Sequence, residues 1–222
     1  MENKIYKIAV VIIPLVLIQG CFTPGLSELE ALCEKDAGEW YAYDEPVYVD
    51  GYFYDNPSDP TPESNYTEIS SSGFEYVEVY KPKEHKHSDL EGTGYFRLYK
   101  APKDDPSCSR AFQWQIELQT SDKRPFGREY CVAVKKIDQP ESRYWKVIDA
   151  ERRYLDHERN ASIYRWEEKV LDRRENRKIA SLIFYKLSPS LNHPIAYGTS
   201  IYCDGKYFIN REYGVLKPTK YQ

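Results

Sequence analysis

A chain of 222 residues with 31 basic and 35 acidic side chains carries a net charge of −4 and has the length of one domain. No dense run of Lys or Arg breaks the mixed charge, which excludes nucleic acid and anionic lipid head groups as electrostatic partners. Twenty-one tyrosines and four tryptophans against one methionine predict a mainly β (α+β) fold, because aromatic rings suit a pleated sheet surface.

The chain opens with a short basic stretch holding Lys4 and Lys7, then an uncharged apolar run from Ile8 to Ile18, then Gln19, Gly20 and Cys21. This is the layout of an export signal. A membrane-spanning helix needs about 20 apolar residues to cross roughly 30 Å of hydrocarbon, whereas Ile8 to Phe22 supplies 15 and Pro14 interrupts them. Spanning is therefore disfavoured.

Leu17-Ile18-Gln19-Gly20-Cys21 resembles a lipobox, with an aliphatic residue three before the cysteine, a small residue directly before it, and the thiol as acceptor of diacylglycerol. Gln19 departs from the small or hydroxyl residue usual at its position. The resemblance implies a signal peptide over 1–20, lipidation at Cys21 and a tether over 21–25 before a single domain over 26–222. A single acyl chain binds membranes marginally and two or more anchor stably, so the expected partner here is a membrane, reached through lipid. An Asp directly after the cysteine usually retains a lipoprotein in the inner membrane. Phe22 at that position implies the periplasmic leaflet of the outer membrane.

Without Met1–Gly20, which hold Lys4, Lys7 and Glu2, 29 basic and 34 acidic side chains remain and the net charge is −5. The exported part keeps Cys33, Cys108, Cys131 and Cys203, an even number in an oxidising compartment, and two disulfides are expected. Spacing leaves three pairings open. No two of these cysteines form C-x-x-C, which disfavours zinc.

Ser27-Glu28-Leu29-Glu30 reads as a capping box opening a short N-terminal helix, with Leu29, Leu32 and Cys33 on one face and a stop by Asp36-Ala37-Gly38. Val47-Tyr48-Val49 and Tyr52-Phe53-Tyr54 flank Asp50-Gly51, a pair suited to a tight hairpin turn. Residues 56–73, rich in Pro, Ser, Asp, Glu and Thr, are expected to form a mobile loop, and Lys81 to Thr93 a second loop.

Phe112 to Gln119 shows the clearest period-two pattern, with Phe112, Trp114, Ile116 and Leu118 on the predicted core face of a strand. Weaker alternation marks strands at Phe74–Tyr80, Tyr95–Tyr99, Cys131–Ile137, Tyr144–Ile148 and Pro194–Cys203. Ser162 to Leu187 is ambiguous, since Trp166, Val170 and Leu171 also suit a helix. Ile179, Ile183 and Tyr185 favour a strand, and the segment reads as a long hairpin with its polar tip within Asp172–Arg177. These elements together predict an antiparallel sheet with one short helix.

Leu32-Cys33-Glu34-Lys35-Asp36-Ala37-Gly38, leading into Tyr43 and Val47-Tyr48-Val49, resembles a group of small uncharacterised proteobacterial lipoproteins that share an L-C-x-K-D-x-G opening. The similarity continues at Tyr164 to Tyr185 and at Cys203, over about half of the mature chain. It implies an address and cysteines, and no catalytic residue. It also implies the pairing of Cys33 with Cys203, beside which Cys108 with Cys131 is the pairing favoured.

His85-Lys86-His87 with Glu84 or Asp89 could share a metal, but a solvated loop without rigid support explains the same residues, and no metal or cofactor is expected. No serine sits in a G-x-S-x-G elbow, and Glu91-Gly92-Thr93-Gly94 lacks the lysine and helix of a phosphate loop. The carboxylate pairs Asp104-Asp105 and Glu167-Glu168 put neighbours on opposite strand faces and are read as solvated. Asn65-Tyr66-Thr67 and Asn160-Ala161-Ser162 match a glycosylation pattern that the lipobox makes irrelevant.

Arg152-Arg153 and Arg173-Arg174, near Tyr144, Trp145, Tyr164 and Trp166, could form a cation–π surface, with Arg173 and Arg174 the candidates at an exposed tip. Two function classes follow. One is a non-catalytic envelope module binding a protein or glycan partner. The other is an envelope glycan hydrolase using dispersed carboxylates. The absence of any recognisable catalytic set favours the first.

Overall fold

The computed structural model describes residues 25–56, 62–84, 90–113, 129–156, 161–188, 200–203 and 216–219. Cys21 and the segment before it lie outside them, as do His85, His87, His157, His193, Asn160 and Trp114–Gln119. No helix among the described residues is long and apolar enough to cross a membrane. The protein is mainly β, with one short N-terminal helix and a large mixed sheet. Contacts divide the described chain into two units, and the long strands β7 (Tyr144–Asp156), β8 (Ala161–Asp172) and β9 (Arg177–Ser188) contribute residues to both.

The smaller unit holds helix α1 (Leu26–Asp36), residues 151–156, 161–165 and 184–188, and the short strand β10 (Ile201–Tyr202), paired antiparallel with β9. The predicted capping box does not form. The helix begins at Leu26, so Ser27 lies inside its first turn, and Gly25 at φ 87° precedes it without a side-chain cap. Glycine suits this position because its φ of 87° is a backbone conformation that L side chains rarely adopt. Leu29 and Cys33 are buried on one helix face and Leu32 is half-buried beside them. The helix stops at Asp36 as predicted, with Ala37 extended and its N–H donating to the Cys33 carbonyl.

A disulfide joins Cys33 to Cys203 with the Cα atoms 5.6 Å apart. It is reinforced where the Tyr185 hydroxyl donates to Asp36 Oδ1 at 2.7 Å. Burial, followed by the neighbouring Asp36 carboxylate, pushes the Tyr185 hydroxyl up to about 12.

In the larger unit the strands run in the order β1-β9-β8-β7-β3-β4-β5-β6, where β1 is Gly38–Tyr41, β3 Gly51–Asp55, β4 Tyr76–Lys81, β5 Gly94–Pro102 and β6 Tyr130–Ile137. β1–β9, β4–β5 and β5–β6 pair antiparallel. The predicted hairpin across Asp50-Gly51 is absent. β2 (Val47–Val49) pairs in parallel with β11 (Leu216–Pro218) in a separate two-stranded sheet, while β3 pairs in parallel with both β4 and β7. The antiparallel expectation thus holds for most pairings, and β3 makes the sheet mixed.

Gly51 serves close approach, not a turn: a Cβ there would sit 2.2 Å from the Tyr76 carbonyl oxygen. Asp50 fixes the junction by accepting the Glu75 N–H at 2.7 Å.

Parallel neighbours need a crossover of a dozen or more residues, and the chain between β3 and β4 is that crossover. Where a mobile loop was predicted, its described part instead makes a 3-10 turn at Pro62–Asn65 and a wide helical turn at Glu68–Ser72, delivering Tyr66 and Ile69 to the core. Asn65 is buried with its amide donating to the Pro62 carbonyl at 2.8 Å, a structural role for that residue. Tyr66 stacks on Phe112 at 5.3 Å between ring centres. Phe112 is fully buried, as its period-two pattern suggests, but it sits in a helical turn at 110–113 and not on a strand. These rings pack with Tyr52, Phe74, Val77, Val79, Leu98 and Val132 as the main core.

At the edge of the sheet a second disulfide links Cys108 to Cys131. Cys108 bridges to Ala133 on the outer side of β6, with the Ser109 N–H donating to Val132 and the Val134 N–H to Ser107. The clip covers part of an edge that would otherwise present free backbone groups.

Candidate functional site at the hairpin tip

The sequence places a polar tip within Asp172–Arg177, and the structure forms it: β8 ends at Asp172 and β9 begins at Arg177. Asn176 takes the left-handed conformation at φ 49°, which asparagine tolerates better than most residues. Asp172 organises the turn. It is 1 % exposed, and its Oδ1 accepts the N–H groups of Arg174 at 2.9 Å and Glu175 at 3.3 Å.

Its other partner is Arg143, the residue before β7, which makes a two-pronged pair at 2.6 and 3.1 Å. The Arg143 guanidinium, with backbone help from Glu175 and Arg174, holds the Asp172 carboxyl below its ordinary range. The Arg173 N–H then donates to the Arg143 carbonyl at 2.9 Å, which seats Arg173 beside the entry to β7.

There the Arg173 guanidinium lies 4.1 Å above the centre of the Trp145 ring. Trp145 also packs against Phe53 at 4.7 Å, its partner across the β3–β7 pair. An open depression of about 330 Å³ is lined by Trp145, Leu171, Asp172, Arg173, Asn176, Arg177 and Lys178. Trp145 Nε1 has no hydrogen-bond partner among the described residues.

Strand β1 brings aromatic rings to the same end, because it pairs with β9 in a register that sets Tyr41 opposite Ala180 and Trp40 opposite Ser181. Lys178 Nζ lies 5.3 Å from the Trp40 ring centre, and Arg177 lies over Tyr43 at 5.2 Å and donates to its hydroxyl. Trp40 and Tyr43 remain 47 % and 39 % exposed. These two rings were not singled out by sequence as site residues. The exposed, aromatic-rich stretch 40–43 was a usable signal, but its partner, the returning arm of a hairpin far along the chain, was not.

Charge around the tip is unbalanced. Asp172 is taken by Arg143, and Glu175 is shared between Arg143 at 3.4 Å and Arg177 at 2.7 Å. Arg173, Arg174 and Lys178 have no carboxylate partner among the described residues, although the chain as a whole is acidic.

The other candidates are placed differently. Arg152 lies over Tyr154 and Tyr164 and Arg153 pairs with Glu28, all in the smaller unit. Glu167, read as solvated, is buried and lies 3.3 Å from Lys169. Glu168 pairs with Lys146 at 3.0 Å. Burial alone would lower the Lys146 ammonium, but Glu168 and Glu68 outweigh it and raise the value. Asp105 is held by the backbone N–H of Ser107 at 2.8 Å and by the Ser107 hydroxyl. Of the proposed metal set only Glu84 is described, and no metal-binding cluster occurs among the described residues.

No family model, curated protein or solved structure matches the chain.

Proposed function

We propose that the protein is a lipid-anchored envelope module, held through Cys21 and facing the periplasm, that works by binding an anionic protein or glycan partner at the β8–β9 hairpin tip. The carrying observation is the set of three cations, Arg173, Arg174 and Lys178, without carboxylate partners among the described residues and next to an open depression and two exposed rings. Cations in that state attract anionic partners and speed their encounter. The resemblance of the opening residues to small lipoproteins supports the address. The hydrolase alternative draws no support from Glu167 or Glu168, since each carboxylate lies beside a lysine.

The test uses the full-length protein with Arg173→Glu and Arg174→Glu together. Expected is normal palmitate labelling and normal folding with loss of function in a complementation assay. Full complementation by the double variant would refute the reading. Turnover of purified peptidoglycan by wild type, retained in the double variant, would replace it with the enzyme.

A further inference from the structure

We propose that the hairpin tip is a subsite for a carboxylated saccharide, with Arg173 and Lys178 in the depression meeting the carboxylate and Trp40 and Tyr43, which lie outside its lining against Lys178 and Arg177, meeting the sugar ring. The proposal rests on the reading of this tip as the binding surface and names its ligand class.

The first argument is donor chemistry. Besides Asp172, whose oxygens are occupied by Arg143 and two backbone N–H groups, the polar side chains lining the depression are Arg173, Asn176, Arg177 and Lys178. Arginine and lysine only donate, and an asparagine amide donates as well as accepts. The complement of such a lining is a ligand rich in acceptor oxygens. A guanidinium fork matches the planar, two-oxygen face of a carboxylate in particular. Arg173 is preorganised for that task, because its stacking on Trp145 and the bond from its own N–H to the Arg143 carbonyl hold it in place without using a carboxylate.

The second argument is the pair of rings. An exposed aromatic plate beside a cation suits a ligand with one apolar and one charged part. A uronic acid ring is of that kind: its C–H face packs on an indole or phenol while its carboxylate reaches a neighbouring cation. Lys178 lies 5.3 Å from the Trp40 ring centre and gives that plate a cation without a carboxylate among the described residues, whereas Arg177, over Tyr43 at 5.2 Å, is already paired with Glu175. An acidic peptide would satisfy the cations but has no general use for flat plates.

Size points the same way. A depression of about 330 Å³ lies at the small end of ligand sites, which run from roughly 300 to 1,000 Å³.

The experiment is a calorimetric titration of the full-length protein with three probes: an oligogalacturonate, a polyglutamate of equal charge, and a neutral dextran oligomer. Oligogalacturonate is expected to bind, and Arg173→Gln, Lys178→Gln and Trp40→Ala are each expected to weaken it by about tenfold or more. Arg152→Gln, in the other unit, should leave binding unchanged. Raising the salt should weaken wild type more than Arg173→Gln. The glutamine variants change exposed side chains, so they keep the test valid if Trp40→Ala fails to fold. Polyglutamate binding as tightly as oligogalacturonate, with no effect of Trp40→Ala, would overturn the saccharide in favour of an acidic protein. Dextran binding as tightly would overturn the role of the carboxylate. Binding of none of the probes would overturn the ligand class, whereas loss of complementation by the Arg173→Glu, Arg174→Glu double variant would still support a binding tip.

Discussion

Glu78 on β4 is fully buried, and its Oε2 accepts the Ser142 hydroxyl at 2.6 Å and the Ser142 N–H at 2.9 Å. The Glu141 N–H adds a third donor at 3.0 Å, and Arg97 pairs with Oε1 at 2.5 Å. A carboxylate facing away from the apolar core thus fastens the connection between β6 and β7, whose next residue, Arg143, holds the hairpin tip. Removing Glu78 leaves the Ser142 hydroxyl and the N–H groups of Glu141 and Ser142 without their acceptor, while Arg97 keeps Glu141 at 2.6 Å, and unmet donors of this kind together cost about 3 to 5 kcal/mol. Glu78→Ala is expected to lose that amount in urea unfolding. A loss below roughly 1 kcal/mol, the range of an exposed ion pair, would mean the network does not hold the β6–β7 connection.

The two disulfides close loops of very different length, with sequence separations of 170 and 23. On the chain-entropy account the longer contributes about 5 kcal/mol and the shorter about 3.4. Replacing Cys33 and Cys203 with serine is therefore expected to destabilise more than replacing Cys108 and Cys131. The shorter loop carries a separate consequence, because the segment it ties down covers the β6 edge. The Cys108→Ser, Cys131→Ser variant should self-associate at concentrations where wild type does not, as read by light scattering. A monodisperse variant would show that residues 107–109 stay paired to β6 without the bond.

Much of the sheet was legible because its strands alternate. β4, β5, β6 and the start of β7 fall where Val77, Val79, Phe96, Leu98, Val132 and Val134 repeat at period two, and the β8–β9 tip was marked by Asp172-Arg173-Arg174-Glu175. Partnership was not legible. Asp50-Gly51 has hairpin chemistry, yet the glycine is explained only by Tyr76, which comes 25 residues later and presses its carbonyl against the missing side chain. The crossover at 62–73 looked too polar to fold, since two buried hydrophobic residues, Tyr66 and Ile69, anchor it among many polar ones. Site residues divide the same way: Arg173 and Arg174 were visible as an exposed pair, whereas Trp40 reaches Lys178 only through the β1–β9 register.

Lipid attachment is expected to depend on Cys21 alone, since its thiol is the diacylglycerol acceptor in the lipobox reading. Cys21→Ala should abolish palmitate incorporation and release the protein from the membrane fraction. Equal labelling of wild type and variant would remove the proposed address.

The last prediction concerns acid. Asp172 is held below its ordinary value of 3.8, first by the hydrogen bonds from Arg143 and also by the N–H groups of Glu175 and Arg174. A carboxyl lowered in the folded state binds fewer protons there than in the unfolded chain, so its stabilisation is complete above the unfolded value and is lost as pH falls through the folded one. Asp172→Asn keeps the shape and part of the turn bonding but drops the charge that Arg143 needs. The variant is expected to unfold at lower urea than wild type at pH 7, with the gap constant down to about pH 5 and narrowing below pH 3.8 as wild type protonates. Because Asp172 also positions Arg173 through Arg143, the variant should bind oligogalacturonate more weakly at pH 7, where the fold persists. A stability gap that stayed constant to pH 2 would show that the Asp172 charge contributes nothing. A gap that narrowed with oligogalacturonate affinity unchanged would show that the ion pair supports the fold without shaping the tip.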